Sequence, residues 1–167
     1  MKPAPTRSRG RVDEALLAEL LDDAFLRRPP PKSTGREHYG LAEAEALVKR
    51  AEAERLALDD LLATLVAFSA RAVRRAVDDH LEGVSKLDRV LVGGGGVRNP
   101  AMMDALAAEL PGAAVQAMDE AGVPADAAEA MAFSLMGRNA LLGIPNHLPR
   151  CTGARHAAVL GEIAPGR

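Results

Sequence analysis

The stretch Val90-Leu91-Val92-Gly93-Gly94-Gly95-Gly96-Val97-Arg98-Asn99-Pro100 (VLVGGGGVRNP) decides how the rest of the chain is read. Its opening, with Asp88 and Arg89 ahead of it, is a short β-rich run of the kind found in a buried strand. Four consecutive glycines end the run. Glycine gives up more conformational entropy on ordering than any other residue, so four together predict a backbone that takes left-handed angles or comes close to a ligand. Asn99 then offers a capping oxygen and Pro100 suits a first helical position, which predicts a helix over Ala101–Leu110. A strand that runs through bare backbone into a helix start turns N–H groups and the positive end of the helix dipole toward whatever binds there, an arrangement suited to a nucleotide.

Which nucleotide site this is depends on the flanking residues. A Walker A loop requires Gly-Lys-Ser/Thr after its glycines, and Val97-Arg98-Asn99 stands there instead. A dinucleotide fingerprint is nearer: Gly94-x-Gly96 is followed by Asn99 where the third glycine belongs, and Asp119 is spaced to hold a ribose. That alternative would make the chain an NAD-dependent oxidoreductase, although its fold usually opens with the glycine strand and here a long helical stretch comes first. The plainest alternative is a tight strand-to-helix connection with no ligand, for which four glycines are more than a turn needs.

Outward from this turn, helical periodicity dominates. Leu16, Leu17 and Leu20 share a face of a short helix from Asp13 to Leu21, which stops near Asp22-Asp23. Pro29, Pro30 and Pro31 predict an extended, helix-free connection from Arg27 to Glu37. A second helix is predicted from Leu41 to about Ala57, and the longest from Leu58 to about His80, with Asp59 and Asp60 placed at its positive end. After the glycine turn, Ala113–Met118 reads as a weaker strand, Pro124 to about Leu142 as a helix, and Ala157–Ile163 as a short final strand. Residues 1 to 10 read as a disordered lead-in and 11 to 167 as one α/β domain rich in helix.

Composition narrows the classes. The 167 residues carry 21 Lys+Arg against 23 Asp+Glu, which gives no electrostatic footprint for nucleic acid or an anionic membrane. No uncharged apolar run approaches the roughly 18 residues of a membrane span. The single cysteine, Cys151, cannot close an internal disulfide, so a reducing cytoplasm is expected. Four histidines, His38, His80, His147 and His156, show no spacing for a metal or a catalytic triad.

Four ordered segments then point to a family. PPPKSTGREHYG (Pro29–Gly40), VLVGGGGVRNPAMM (Val90–Met103), MDEAGVPADAAEAMAF (Met118–Phe133) and GIPNHLPRCTGA (Gly143–Ala154) together resemble the carboxy-terminal part of the anhydro-N-acetylmuramic acid kinases, from about Gly10 onward. The resemblance implies the fold shared by sugar kinases, actin and the seventy-kilodalton heat-shock proteins (ribonuclease H-like), in which ATP lies between two α/β lobes. This chain resembles most of the second lobe. It implies that Gly93, Gly94, Gly95 and Gly96, with Asn99, lie against the adenosine of ATP.

It also implies the reaction: the 1,6-anhydro bond of the sugar is hydrolysed as the γ-phosphoryl group passes to the C6 oxygen, giving N-acetylmuramic acid 6-phosphate in peptidoglycan recycling. An aspartate activates the water and Mg2+ offsets phosphate charge. That aspartate and the phosphate-gripping glycine loops are expected ahead of the segment resembling Gly10–Glu14, so the expected partner is an amino-terminal lobe on the same or another polypeptide. The isolated chain is then expected to be inactive, or to be a non-catalytic nucleotide-binding or interaction module. Its uncovered apolar surface would favour self-association, a homodimer included.

Individual residues carry two readings each. Glu129 resembles the family's glutamate near the sugar, placed in the second turn of its helix, and is otherwise a surface acid favoured by the dipole. Asp126 reads as a stabilising acid of the first helical turn. Lys32 and Arg36 either hold phosphate or the lactyl carboxylate or are solvated, and Asn99 is either a ligand contact or only a cap. Cys151 reads as a small packed side chain without a general base. Two departures from the family touch sugar recognition: Phe133–Arg138 lacks the usual tryptophans, and Asn146-His147-Leu148-Pro149 replaces Gly-Asn-Leu-Pro.

Overall fold

The computed structural model describes residues 10–81 and 87–164. The lead-in predicted for residues 1 to 10 lies, apart from Gly10, outside them. The first helix, α1 (Glu14–Leu21), begins where Asp13 accepts the Leu16 N–H at 2.9 Å. The Asp13 N–H itself donates to Thr64 Oγ1 at 2.9 Å, and that hydroxyl donates to the Asp60 carbonyl at 2.7 Å. Thr64 is fully buried, so one hydroxyl ties the start of α1 to the long helix beneath it. Gly10 is required in the same place, because a Cβ there would overlap the Asp59 carbonyl.

Helix α1 ends at Asp22, as the sequence predicts, but a further short helix, α2 (Ala24–Arg27), follows at once. The two adjacent aspartates serve different helices: Asp22 closes α1, and Asp23 accepts the Phe25 N–H at 2.6 Å to open α2. The extended connection therefore starts at Arg28. Helix α3 (Leu41–Glu54) stops three residues short of its predicted end, at Arg55, whose φ of 58° is left-handed. Helix α4 (Leu58–His80) spans the predicted range. Leu16, Ala51 and Leu61, from α1, α3 and α4, form the buried centre, bordered by Leu20, Leu47, Leu56 and Leu65.

The second half is a strand–helix–strand unit. Strands β1 (Arg89–Val92) and β2 (Ala114–Ala117) pair in parallel, with Val90 opposite Val115 and Leu91 opposite Gln116. Between them come a 3-10 turn, Gly94–Arg98, and helix α5 (Pro100–Glu109), capped by Asn99 and opened by Pro100 as the sequence predicts. Helix α5 packs against α4, burying Leu106 and Leu110, while Arg71 reaches both Glu14 and Glu109 and links α4 to α1 and α5.

Helix α6 (Ala128–Leu141) starts after a turn over 124–127, not at Pro124. The predicted last strand, Ala157–Ile163, forms no ladder. The segment is held instead by two neighbouring residues: Asn146 Oδ1 accepts the Leu160 N–H at 2.7 Å while its Nδ2 donates to the Leu160 carbonyl at 2.9 Å and to the Met136 carbonyl of α6 at 3.0 Å, and His147 Nε2 accepts the Ala158 N–H at 3.0 Å. A short helix, α7 (Pro149–Thr152), carries Cys151 exposed to solvent, where the sequence predicted a packed side chain. Because α7 lies at the periphery, a small apolar residue there has no core to enter.

Two features leave the architecture open. A two-stranded parallel sheet is marginal alone, and parallel sheets are normally covered on both faces. Helix α6 has no buried residue, and Met131, Phe133, Leu135 and Leu141 stand exposed beside Leu142, Ile144 and Leu148. Among the described residues no helix is long and apolar enough to cross a membrane.

Candidate functional site

The loops after β1 and β2 meet beyond the carboxyl ends of the two parallel strands, which is where open α/β sheets bind ligands. The four glycines there do different things. Gly93 is a packing residue: a Cβ on it would stand 2.6 Å from Met118 Sδ and 3.9 Å from the Ala128 Cβ. Gly94 is conformational, with φ of 68°, and its N–H donates to the Ala125 carbonyl at 3.0 Å. A Cβ on Gly95 would meet nothing within 4 Å, and one on Gly96 only the Val92 side chain at 3.9 Å. Neither internal packing nor a left-handed angle calls for glycine at these last two positions.

Asn99 closes the turn. Its side-chain oxygen accepts the Ala101 and Met102 N–H groups at 3.1 and 3.3 Å, so its role as a helix cap is realised. Asp119, in the 3-10 turn Met118–Ala121 that follows β2, accepts the Ala125 N–H at 3.2 Å. Asp126 is not a first-turn acid of α6, since it precedes that helix and pairs with Arg98 across the loop. Glu129 stands exposed in the first turn of α6, one turn earlier than predicted, because the helix starts later. The structure thus gathers the glycine turn, Asp119, Ala125 and Asp126 at one place, with Glu129 on the helix that leaves it.

A second concavity lies away from this turn. An open cleft of about 940 Å3 is walled by α1, α3, α4 and the 37–40 segment, with Tyr39, Phe68, Leu47 and Leu65 among its lining. Asp23 is its polar hub, accepting from Tyr39 Oη at 2.9 Å and bonded to His38 Nε2 at 2.8 Å. Burial alone would raise the Asp23 carboxyl, but His38, the Phe25 N–H and Tyr39 outweigh it and hold the group below its ordinary value. Burial, then the hydrogen bond to and charge of Asp23, pushes the Tyr39 phenol up to about 12.

Lys32 has partners within the chain that the sequence did not show. Its ammonium donates to the Phe25 and Leu26 carbonyls at 3.1 and 3.0 Å and lies 5.0 Å from the Phe25 ring centre, so it caps α2. Arg36 is exposed in the turn before Gly40. Of the histidines given no chemistry, His38 joins the Asp23 hub and His147 accepts the Ala158 N–H at 3.0 Å through Nε2. Sequence reasoning missed the Asp23 hub and the Arg98–Asp126 pair, whose members lie 15, 16 and 28 residues apart. No periodic signal spans such separations.

Strand, glycine turn, helix and strand, with both loops converging beyond the strand ends, define an α/β domain with an exposed glycine turn. The family profile described as anhydro-N-acetylmuramic acid kinase matches residues 2–166, and the chain belongs to that family. Curated relatives of that name agree: one from Streptomyces coelicolor is 46% identical over 158 residues, 95% of this chain and 39% of that protein. One from Caldanaerobacter subterraneus is 37% identical over 98% of this chain and 41% of its own length, and one from Cupriavidus pinatubonensis 43% over 93% and 41%. The chain spans about two fifths of the length of these relatives.

Proposed function

We propose that this chain supplies the adenosine-binding side of an ATP-dependent kinase that converts 1,6-anhydro-N-acetylmuramic acid to N-acetylmuramic acid 6-phosphate with hydrolysis of the anhydro bond. The observation that carries the reading is the open space at Gly95 and Gly96. Bare backbone there, at the carboxyl ends of parallel strands, leaves room for a flat adenine and its ribose against the main chain, and Asn99 holds the turn by capping α5. ATP, when bound, supplies the phosphoryl group. The chain's own residues bind and orient it, with Glu129 offering a carboxylate to sugar hydroxyls from the exposed start of α6.

Among the described residues no cluster of three or more His, Cys, Asp or Glu side chains is arranged to hold a metal ion, so no step is assigned to Mg2+ through this chain. The general base and the phosphate loops belong, in this reading, to an amino-terminal lobe in the actin-like arrangement. The relatives' extra length and the uncovered apolar face of α6 both support such a partner. The proposed location is the cytoplasm, where Cys151 would remain a thiol. Family membership leaves the dinucleotide-oxidoreductase alternative without support.

The test is ADP formation from Mg-ATP and the anhydro sugar by the purified chain, alone and with the amino-terminal part of the Streptomyces coelicolor relative. Turnover only in the mixture is expected. Turnover by the chain alone would place the base within these residues and overturn the division of labour. If the mixture is silent although ADP binds the chain, a non-catalytic nucleotide module replaces the kinase reading.

A further inference from the structure

Ala125 is gripped through both of its backbone polar groups. Its N–H donates to Asp119 Oδ2 at 3.2 Å, its carbonyl accepts from the Gly94 N–H at 3.0 Å, and the residue is 4% exposed. One residue on, Asp126 pairs with Arg98, the last residue of the 3-10 turn that Gly94 begins. Both ends of the glycine turn are therefore tied to the two residues that lead toward α6. The first residue of that helix, Ala128, also stands against Gly93, and Glu129 is the second.

The rest of α6 is loosely held. It has no buried residue, and the Asn146 bond to Met136 is its anchor near the far end. A helix packed so lightly takes its direction from its termini. Displacement of the glycine turn therefore acts on Glu129 through a buried residue hydrogen-bonded at both its N–H and its carbonyl, where little slack is available.

We propose that the backbone of Ala125 is the joint through which a ligand on the glycine turn sets the position of Glu129, with Asp119 as its positioning residue. This rests on the reading of the turn as a nucleotide site. Asp119 touches neither ribose nor metal in this role. It holds an N–H, which the carbonyl of an asparagine does equally well.

The experiment follows backbone amide resonances of the purified chain as ADP is added. In the parent chain the amides of Gly93–Gly96 and of Ala125–Met131 shift together. In Asp119→Ala the glycine amides still shift at the same ADP concentrations while the α6 shifts are lost, and Asp119→Asn restores them. Arg98→Gln, an exposed change safe for folding, weakens the α6 response and serves if Asp119→Ala is unfolded by circular dichroism.

Full α6 shifts in both Asp119→Ala and Arg98→Gln overturn the joint. So does weaker ADP binding at the glycines in Asp119→Ala, which would mean that Asp119 touches the nucleotide, or an Asp119→Asn that behaves like Asp119→Ala. Silence of the glycine amides in the parent chain is a different failure, that of the nucleotide reading, and it removes the joint along with it.

Discussion

Replacing Gly93, Gly94 and Gly95 by alanine one at a time separates folding from binding, because the structure assigns these three different reasons to be glycine. Gly94→Ala forces a Cβ into a left-handed residue at φ of 68°, a cost of about 1–2 kcal/mol. Gly93→Ala drives a methyl to 2.6 Å from Met118 Sδ, and since a methionine side chain can turn aside, about 1 kcal/mol is expected. Gly95→Ala meets nothing within 4 Å, so removing glycine's freedom from the unfolded chain should stabilise by roughly 0.4–1 kcal/mol. With a urea dependence near 2 kcal/mol per molar, the Gly94→Ala midpoint falls by roughly 0.5–1 M while that of Gly95→Ala rises slightly. ADP binding, read by calorimetry on the same proteins, should run the other way at Gly95: a more stable chain that binds less. A Gly95→Ala chain that loses stability as Gly94→Ala does would refute the reading of its open space, and one that binds ADP as the parent does would remove the ligand from the argument.

Three further outcomes follow from particular side chains. Tyr39 is the only tyrosine, so tyrosinate absorbance reads it alone, and its midpoint should lie near 12 rather than about 10; because the folded value is raised, its contribution is complete below about pH 10 and is lost as pH climbs between the two, so urea stability should fall in that window. Thr64→Val keeps the shape but strands the Asp13 N–H, which should cost about 1–3 kcal/mol in urea melts, more than Thr64→Ser, which keeps the hydroxyl and loses a methyl worth about 0.8 kcal/mol. Arg55→Gly relieves a left-handed residue at the end of α3 and should raise the thermal midpoint by about 2–4 °C, read by circular dichroism.

Much of this was legible before any coordinates. Asn99 and Pro100 announced the start of α5 because a cap and an N1 proline act within four residues. The three-and-four spacing from Leu58 onward set α4 because one helix face repeats locally. The family, too, was written in four ordered segments and matches residues 2–166. These are short-range or whole-chain signals, and both survive in a one-dimensional string.

What only the tertiary structure decided is which distant groups meet. The lysine of Pro29–Gly40 reads as an anion ligand or a solvated charge until α2, itself unannounced, brings two carbonyls under it. Asp126 reads as a helix acid until the later start of α6 leaves it facing Arg98. Bonds from Asn146 and His147 take the place of the expected final strand, because a side-chain amide with an acceptor and two donors, and an imidazole nitrogen beside it, can hold a backbone segment without a ladder. The residue types that cap, turn and alternate are fixed by neighbours in the chain. The partners of a side chain are fixed by packing, since a hydrogen bond depends on tenths of an ångström that no spacing in sequence encodes.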